Sequence, residues 1–393
     1  MYLDFPGHLV AKGVEEEAAK LRVRAPEMAL AQPDPNAIDR VAEMLARAER
    51  PLVIVGKGAA WADAGPALER LVGRGIPYVT SPMARGTLPD DRAEFVNAAR
   101  SAALKGADAI LVVGARFNWI FGFGRAPRYR PDVRIAQIDV VAEEFTSSAE
   151  VEIGIVADAA AAVGALCLAL EGRTISSVGG SWLAELVEQR ERNEAALAPL
   201  LENAAVPIHP YRLVREVRDA IPRDANVSTD GETIMGICRA VLPSYRSRSC
   251  FNAGTTGCMG TGLPYAIGAA LADPSRPSVA VLGDYAFGAA AMAVETAMRV
   301  GAKPVIVVSN NEGIAGHLLQ DHMLPPGSPR IASLLPAHYE KIAEMVDGAA
   351  YRVERPEEIR PALDAALAAD RVAVVHVRTD PKATRASGAN YLQ

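Results

Sequence analysis

The chain has 393 residues, of which 50% are hydrophobic and 22% charged, and its formal net charge at pH 7 is −6. This length allows two or three domains with buried cores, and the acidic balance argues against nucleic acid as a partner. The sequence shows no signal-peptide pattern and no apolar run near the ~18 residues of a membrane span. Its four cysteines lack CxxC spacing, so we expect a cytoplasmic protein that does not enter a membrane.

Short apolar strands alternate with helical patterns over residues 34–174. The strands read PLVIVG, IPYVTS, AILVVGA and VRIAQIDV, and the helical pattern NAIDRVAEMLARAER precedes the first of them. All-apolar strands of this kind are typical of a parallel sheet covered by helices on both faces. We therefore predict a middle α/β domain in this range.

A second series of strands and helices follows a linker at residues 175–205, which contains an amphipathic helix beginning SWLAELVEQRERNE. The series occupies residues 206–380, with NVSTD, VAVLGD, VIVVS and VAVVHVRT as strands and a crossover helix at about Ala289–Val300. Residues 381–393 form a polar tail. The predicted fold class is α/β, with two doubly wound parallel-sheet domains.

Two strands of the second series are followed by polar residues. Asp284 comes after VAVLG, and Asn311 comes after VIVVSN. Because ligands collect at the carboxyl ends of parallel strands, we expect both side chains at one edge of the sheet. With the main-chain carbonyl of Gly313 they form a set of hard oxygen ligands that suits Mg²⁺, which takes further ligands from phosphate. The small residues Gly283 and Ala286 would let main-chain N–H groups approach a diphosphate.

The same residues also have an ordinary structural explanation. An isolated Gly-Asp often caps a helix, and an isolated Asn-Asn often makes a turn. The joint pattern of strand, Gly-Asp, helix, strand and Asn-Asn-x-Gly is more specific, and it favours the metal and diphosphate site.

The segment from GDYAFG to NNEG resembles the fingerprint of thiamine-diphosphate enzymes. VIVGKGAAW, SPMARG, VVGARFNW and AQIDV resemble the middle, Rossmann-like domain of oxalyl-CoA decarboxylases and 2-hydroxyacyl-CoA lyases. AGTTGCMGTGLPYAIGAALA resembles their diphosphate-binding (PP) domain. The resemblance covers nearly the whole chain and implies that residues 206–380 bind thiamine diphosphate.

The resemblance assigns roles to residues at matching positions. It implies that Asp284, Asn311 and the carbonyl of Gly313 hold Mg²⁺. The further cofactor-binding candidates are Gly231, Glu232 and Thr233 of DGET, Gly257 and Met259 of GCM, and Gly283, Tyr285 and Ala286 of GDYA. Met259 matches the residue that bends thiamine, and the carbonyl of Gly257 would accept a hydrogen bond from its 4′-amino group. Ordinary core packing is the alternative for Met259.

The first residues, MYLDFPGHLV, resemble the segment that closes the pyrimidine-binding domain of this family. We interpret residues 1–33 as a remnant strand and linker after a missing pyrimidine domain. In the family that domain supplies the glutamate that activates the cofactor, so the catalytic residue on this chain is unknown. The resemblance implies a separate pyrimidine-domain subunit, in a dimer of heterodimers or a larger assembly; a truncated sequence is the alternative.

Departures from the family pattern bear on the substrate. Oxalyl-CoA decarboxylases have NNxGIYxG, whereas this chain has Ala315 in place of the tyrosine, which favours a lyase. His317 is either a proton donor or an ordinary histidine. Ser387 and Tyr391 match the tail that folds over acyl-CoA. In the middle domain, strand-end residues are candidates for binding CoA or ADP: Lys57, Arg85, Arg116 and Asn118.

We therefore predict the Mg²⁺- and thiamine-diphosphate-binding subunit of a 2-hydroxyacyl-CoA lyase. It would cleave or form a carbon–carbon bond between formyl-CoA and an aldehyde or ketone. An oxalyl-CoA decarboxylase is the alternative, and a non-catalytic nucleotide-binding regulatory subunit is an alternative of a different class. Acetolactate-synthase-like chemistry fits the motifs less well.

Overall fold

The computed structural model describes residues 4–16, 27–176, 180–314 and 317–386. Residues 1–30 form one compact unit, in which the described helix is α1 (Gly7–Val10), and residues 31–393 form a second unit. Within the described ranges, no helix has both the length and the apolar character needed to cross a bilayer.

The first sheet of the large unit has five strands, all parallel, in the order β2-β1-β3-β4-β5. The strands are β1 (Pro51–Val55), β2 (Tyr78–Thr80), β3 (Ala109–Val113), β4 (Arg134–Asp139) and β5 (Ile153–Val156). The helices are α2 (Pro35–Arg47), α3 (Lys57–Trp61), α4 (Gly65–Val72), α5 (Arg100–Gly106) and α6 (Ala159–Ala169). Short 3₁₀ segments lie at Pro82–Ala84, Asn97–Ala99, Trp119–Gly124 and Ala142–Thr146. Every residue of β1 and β3 is buried, so both faces of this sheet are covered.

Two helices, α7 (Trp182–Ala195) and α8 (Ala198–Leu201), connect the two sheets. Trp182 of α7 is buried against the first sheet, and its indole Nε1–H donates to the carbonyl of Pro51 (3.0 Å). Leu200 and Leu201 of α8 pack on the core of the second sheet. The linker is therefore anchored to both sheets by apolar side chains.

The second sheet has six strands, all parallel, in the order β10-β11-β9-β8-β6-β7. The strands are β6 (Asn226–Asp230), β7 (Cys250–Phe251), β8 (Ser278–Gly283), β9 (Val305–Asn310), β10 (Ala349–Val353) and β11 (Ala373–Arg378). The helices are α9 (Pro210–Ala220), α10 (Thr233–Val241), α11 (Gly262–Ala272), α12 (Asp284–Gly288), α13 (Ala293–Arg299), α14 (His317–Met323), α15 (Lys341–Glu344) and α16 (Pro356–Ala368).

The predicted fold class is confirmed, because both sheets are parallel and carry helices on their flanks. The domain boundaries themselves stay a prediction. The crossover differs from the single helix expected at about Ala289–Val300, since the chain forms α12 and α13 with tight turns between them. In those turns the N–H of Ala290 bonds the carbonyl of Phe287, and the N–H of Ala293 bonds the carbonyl of Ala290, each three residues back.

Candidate cofactor site

Four strand ends of the second sheet meet along one edge. β11, β9, β8 and β6 are successive neighbours, with Gly283 of β8 opposite Ser309 of β9 and Asp230 of β6 opposite Leu282. Because all of these strands are parallel, the loops that leave their carboxyl ends lie side by side. The loops carry the polar residues that the sequence pattern singled out.

A single cleft at this edge brings together residues from four separate sequence segments. The predicted site residues that line it are Gly231, Glu232, Thr233, Met259, Gly283, Asp284, Tyr285, Ala286, Asn311 and Gly313. Gly257 lies two residues before Met259 in the same exposed loop, in the left-handed region at φ 64°. The cleft therefore has the composition expected of the predicted site, while the role of each residue stays a prediction.

Asp284 is a buried carboxylate that lines the cleft, with 1% of its surface exposed. Its Oδ1 accepts a hydrogen bond from the N–H of Tyr285 (2.6 Å), and its Oδ2 accepts one from the N–H of Gly313 (3.1 Å). Burial raises the pKa of Asp284 to about 6, although these and other main-chain N–H groups favour the carboxylate. Among the described residues, no arginine or lysine is one of the main influences on its pKa, and none forms an ion pair with it. A buried carboxylate without a counter-cation favours binding of a metal ion.

The donors around Asp284 fit a divalent cation that also binds phosphate. One carboxylate and the amide of Asn311 line the cleft together with Gly313, whose main-chain carbonyl is the third candidate ligand. The described residues contain no group of three or more His, Cys, Asp and Glu suited to a metal, so a closed protein-only metal centre is not present among them. Mg²⁺ is commonly bound by one or two carboxylates plus substrate phosphates.

The loop after β6 is shaped for close approach of a ligand to the main chain. Gly231 has φ 98°, and a Cβ added there would lie 3.2 Å from the main-chain nitrogen of Gly283. Helix α10 begins two residues later, and Glu232 and Thr233 at its start line the cleft. The first N–H groups of a helix have no partner within the helix, so this end of α10 is suited to bind a diphosphate.

The carboxylate of Glu232 is engaged within the protein. It forms an ion pair with Arg385 and accepts a hydrogen bond from the hydroxyl of Thr233 (3.1 Å). A free carboxylate at this position would repel a phosphate, and Arg385 offsets that charge. The predicted diphosphate contact of Glu232 stays a prediction, and its main-chain N–H is a better candidate for that contact than its side chain.

The glycine-rich loop that carries Met259 is held by Asp230, which sequence reasoning missed. Asp230 is buried, and its Oδ2 accepts hydrogen bonds from the N–H groups of Gly260 and Gly262 (both 2.9 Å). Its Oδ1 accepts a third bond from Gly231 (2.7 Å). Met259 is 41% exposed at the cleft wall, so ordinary core packing does not explain it.

The cleft has further lining residues that were not predicted: Pro210, Ile234, Ser309, Ile314, Thr379, Asp380 and Ala383. Thr379 and Asp380 directly follow β11, which neighbours β9. The hydroxyl groups of Ser309 and Thr379 lie 3.1 Å apart. The rule that located Asp284 and Asn311, a polar residue at the end of a buried strand, would also have located Thr379 and Asp380.

His317 is buried beside the metal loop. Its exposed fraction is 2%, so the ordinary alternative, a histidine at the surface or at the edge of the core, does not describe it. A Cβ on Gly313 would lie 2.3 Å from Cγ of His317, which explains why position 313 has no side chain. Burial lowers the pKa of His317, so its imidazole is neutral near pH 7.

A second cavity lies at the carboxyl ends of β1, β2, β3 and β4. Lys57, Arg116 and Asn118 line it, together with Gly254 and Thr255 of the glycine-rich loop. Arg116 also lies 3.5 Å from Glu144 in an ion pair. These three predicted nucleotide candidates are therefore brought together.

Arg85, the fourth candidate, does not line that cavity. It is 8% exposed, and its Nε donates to Oδ2 of Asp90 (2.9 Å). One of its terminal nitrogens donates to the carbonyl of Arg239 (3.0 Å). The grouping of Arg85 with the nucleotide candidates is therefore wrong, because its guanidinium joins the middle domain to α10.

The tail candidates Ser387 and Tyr391 lie outside the described residues. The described part of the tail reaches helix α9, since the N–H of Ala386 donates to the hydroxyl of Tyr211 (3.1 Å). Ala383 lines the cofactor cleft. The tail therefore passes beside the cleft before position 387.

Comparison with known proteins assigns both sheets to one family. Residues 38–166 match the thiamine pyrophosphate enzyme central domain, and residues 231–377 match the thiamine pyrophosphate enzyme C-terminal TPP binding domain. The chain is 35% identical to 2-hydroxyacyl-CoA lyase of Oryza sativa subsp. japonica, over 98% of this chain and 70% of that protein. It is 33% identical to human 2-hydroxyacyl-CoA lyase 1 (98% and 69%) and 31% identical to oxalyl-CoA decarboxylase of Escherichia coli K12 (99% and 69%). The chain therefore belongs to the thiamine pyrophosphate enzymes, as a thiamine-dependent carbon–carbon lyase.

Proposed function

We propose that the cleft binds Mg²⁺ and thiamine diphosphate, and that the chain is the cofactor-binding subunit of a 2-hydroxyacyl-CoA lyase. The observation that carries the proposal is the convergence of four loops on a buried Asp284 that has no counter-cation among the described residues. The four cysteines are all free, which agrees with a reducing, cytoplasmic location.

Each wall of the cleft has a separate task in this proposal. Asp284, Asn311 and the carbonyl of Gly313 hold Mg²⁺ against the diphosphate. The start of α10 donates main-chain N–H groups to the phosphate oxygens. Met259 supports the bent form of the cofactor. When bound, thiamine diphosphate supplies an electron sink for breaking a carbon–carbon bond next to a carbonyl group.

The substrate that we propose is a 2-hydroxyacyl-CoA. The bond between the thioester carbon and carbon 2 breaks; the 2-hydroxyl group loses its proton, so that carbon 2 becomes the carbonyl of an aldehyde or ketone, and the thioester carbon gains a proton to give formyl-CoA. Ile314 at the cleft wall and the position of Ala315 in the sequence provide no aromatic hydroxyl, which favours this substrate over oxalyl-CoA. The 31% identity to an oxalyl-CoA decarboxylase keeps that reaction as the second candidate.

A pyrimidine-binding domain on another chain would complete the site. Met259 and Tyr285 are each 41% exposed at the cleft, where a bound cofactor and a covering domain would bury them. We propose that the partner also supplies the activating glutamate. Of the acids that line the cleft, Glu232 is paired with Arg385, Asp284 is assigned to the metal, and Asp380 accepts a hydrogen bond from the N–H of Lys382 (2.9 Å).

The middle-domain cavity is the proposed site for ADP or for the ADP part of CoA. It lies where β1 and β3 meet, and the strand order of this sheet reverses there. Ligands of open α/β sheets bind at such switch points. Lys57 and Arg116 supply positive charge for phosphate groups.

The proposal is tested by reconstitution of the chain with a pyrimidine-domain chain, Mg²⁺ and thiamine diphosphate. The complex is given a 2-hydroxyacyl-CoA or oxalyl-CoA in separate reactions, and formyl-CoA is quantified together with the aldehyde, ketone or carbon dioxide. Preferential cleavage of the 2-hydroxyacyl-CoA supports the lyase. Preferential turnover of oxalyl-CoA establishes the second candidate, and turnover of neither substrate rejects both.

A further inference from the structure

A group of buried polar side chains lies behind the metal loop and takes no part in the cleft described above. His376 on β11 and Glu340 before α15 are 4% and 6% exposed. His376 is opposite Val308 of β9 in the strand register, so its side chain lies on the same face of the sheet as Asn310, two residues further along β9. Buried polar groups are costly unless they are hydrogen-bonded, so their partners define their role.

The donors and acceptors of the hydrogen bonds in this group can be assigned in only one way. Nδ1 of His376 lies 2.5 Å from Oε2 of Glu340, and Nε2 of His376 lies 3.0 Å from Nδ2 of Asn310. Because a carboxylate only accepts, Nδ1 of the ring carries the proton and Nε2 is the acceptor. The amide nitrogen of Asn310 then donates to Nε2, and the amide oxygen Oδ1 is directed elsewhere.

That amide oxygen accepts a hydrogen bond from the main-chain N–H of Glu312 (3.0 Å). Glu312 has φ 61°, a conformation that residues with a side chain adopt rarely and only when the surroundings enforce it. The next residue is Gly313, whose N–H bonds Asp284. The bonds from Glu340 through His376 and Asn310 therefore act on the segment that carries Asn311 and Gly313.

Packing fixes the orientation of the imidazole. The ring of Tyr339 meets His376 edge-on, with centroids 5.6 Å apart and planes at 86°. Tyr339 also meets Phe287 of α12 edge-on, at 5.8 Å and 87°. Because Phe287 holds Tyr339 and Tyr339 packs on the imidazole, the ring of His376 has little freedom to rotate.

We propose that His376, oriented by Glu340, is a positioning residue for the metal loop. It holds Asn310 so that the loop keeps the strained conformation in which Asn311 and Gly313 face the cation. The proposal rests on the assignment of Mg²⁺ to the Asp284 site.

Two substitutions of His376 separate its bond to Asn310 from its bond to Glu340. In His376→Gln the side-chain oxygen reaches the position of Nε2 and accepts from Asn310. In His376→Asn the amide reaches only the position of Nδ1 and keeps the bond to Glu340. Both remove the ring, so a purely structural role predicts equal effects. His338→Gln is the control, because His338 is half exposed and bonds the other oxygen of Glu340.

The first measurement is amide hydrogen exchange at Glu312 in the protein without metal or cofactor. We expect protection to fall roughly tenfold in His376→Asn, as for the loss of about 1.4 kcal/mol of hydrogen bonding, and to stay within about threefold in His376→Gln. Equal losses in both variants, or none in either, would overturn the proposal. A further variant, Glu340→Gln, leaves His376 in place but no longer fixes the ring proton on Nδ1. We expect protection at Glu312 to fall by an intermediate factor of about three. Unchanged protection in this variant would also count against the proposal.

The second measurement is the Mg²⁺ concentration at which binding of thiamine diphosphate is half-maximal. We expect the control His338→Gln to need the same Mg²⁺ concentration as the parent. We expect a rise of roughly tenfold in His376→Asn and of at most about threefold in His376→Gln. If the parent itself binds no Mg²⁺, the proposed function fails, while the exchange data still decide whether His376 positions the loop.

Discussion

At the scale of single residues, two buried carboxylates organise the cleft, and each is held by main-chain N–H groups. Asp230 accepts its bonds from Gly231, Gly260 and Gly262, and so joins the loop after β6 to the glycine-rich loop. Asp284 accepts bonds from the loops after β8 and β9 and lines the cleft. We infer that Asp230 shapes the site and that Asp284 binds the cation.

Asp230→Asn tests the structural half of this inference. One amide oxygen cannot replace two acceptor oxygens, and the new N–H₂ group would face glycine N–H donors. We expect a loss of about 1–3 kcal/mol in the free energy of unfolding and roughly tenfold weaker binding of thiamine diphosphate. Urea unfolding and equilibrium dialysis measure both quantities. The control is Asp364→Asn, an exposed carboxylate paired with Arg360; if it lost as much, the effect would not be specific to the loop.

His376 gives a prediction for pH. Burial lowers the pKa of His376 below its usual value of about 6.5, despite the neighbouring Glu340. Below pH 6.5 the unfolded chain therefore binds a proton that the folded chain does not, and stability falls as the pH decreases toward the folded pKa. Urea unfolding between pH 7.5 and 5.5 should show a smaller decrease in His376→Gln than in the parent. An identical decrease in both proteins would contradict the assigned cause.

At the scale of elements, the sequence pattern located the inner strands of both sheets and missed three of the edge or near-surface strands. β1, β3, β8 and β9 are almost fully buried, so their sequences are continuous apolar runs. β5 alternates buried and exposed residues, β7 has two residues, and β10 is partly exposed. Edge strands need not be apolar on both faces, so the rule that finds inner strands does not find them.

The sequence also predicted the part of the candidate site that follows inner strands, but not the part that depends on contacts between distant segments. Asp284 and Asn311 follow inner strands, where the pattern is strong. The bonds of Asp230 to Gly260 and of Glu340 to His376 join residues 30 and 36 positions apart. These contacts depend on loop conformation and strand register, which the local sequence does not encode.

The loop after β9 provides a test at the same scale. In Gly313→Ala the new Cβ would lie 2.3 Å from Cγ of His317, so either the loop or the imidazole must move. We expect at least tenfold weaker Mg²⁺-dependent cofactor binding, because the hydrogen bond from Gly313 to Asp284 and the orientation of the Gly313 carbonyl would be lost together. Calorimetric titration with thiamine diphosphate measures the change. Gly288→Ala is the matched control, since no atom lies within 4 Å of its added Cβ, and weakening in both variants would argue against a local effect.

At the scale of the whole molecule, each of the two sheets has a cavity that is a candidate ligand site, and residues of the glycine-rich loop line both cavities. Gly254 and Thr255 line the middle-domain cavity, while Met259 of the same loop lines the cofactor cleft. The indole of Trp119 in the middle domain donates to the carbonyl of Thr255 (3.1 Å). The middle domain is therefore in direct contact with the loop that is proposed to support thiamine.

Arg116→Ala separates the two sites. Arg116 lines the middle-domain cavity and is half exposed, so its removal should weaken ADP binding about tenfold without altering thiamine diphosphate binding. Fluorescence titration with each nucleotide and dialysis with the cofactor give the two constants. Arg173→Ala, which removes an exposed ion pair with Asp39, should change neither. Unchanged ADP binding in Arg116→Ala would reject this cavity as the nucleotide site.

The most direct test of the account is the binding of thiamine diphosphate as a function of Mg²⁺ in the parent and in Asp284→Asn, with the pyrimidine-domain chain present. Asp132→Asn, at an exposed ion pair with Arg130, is the control. The account predicts Mg²⁺-dependent binding in the parent and in the control, and binding weakened by roughly 100-fold in Asp284→Asn, as for loss of a charged ligand worth about 2.7 kcal/mol. Equal affinity and equal Mg²⁺ dependence in Asp284→Asn and the parent would contradict it.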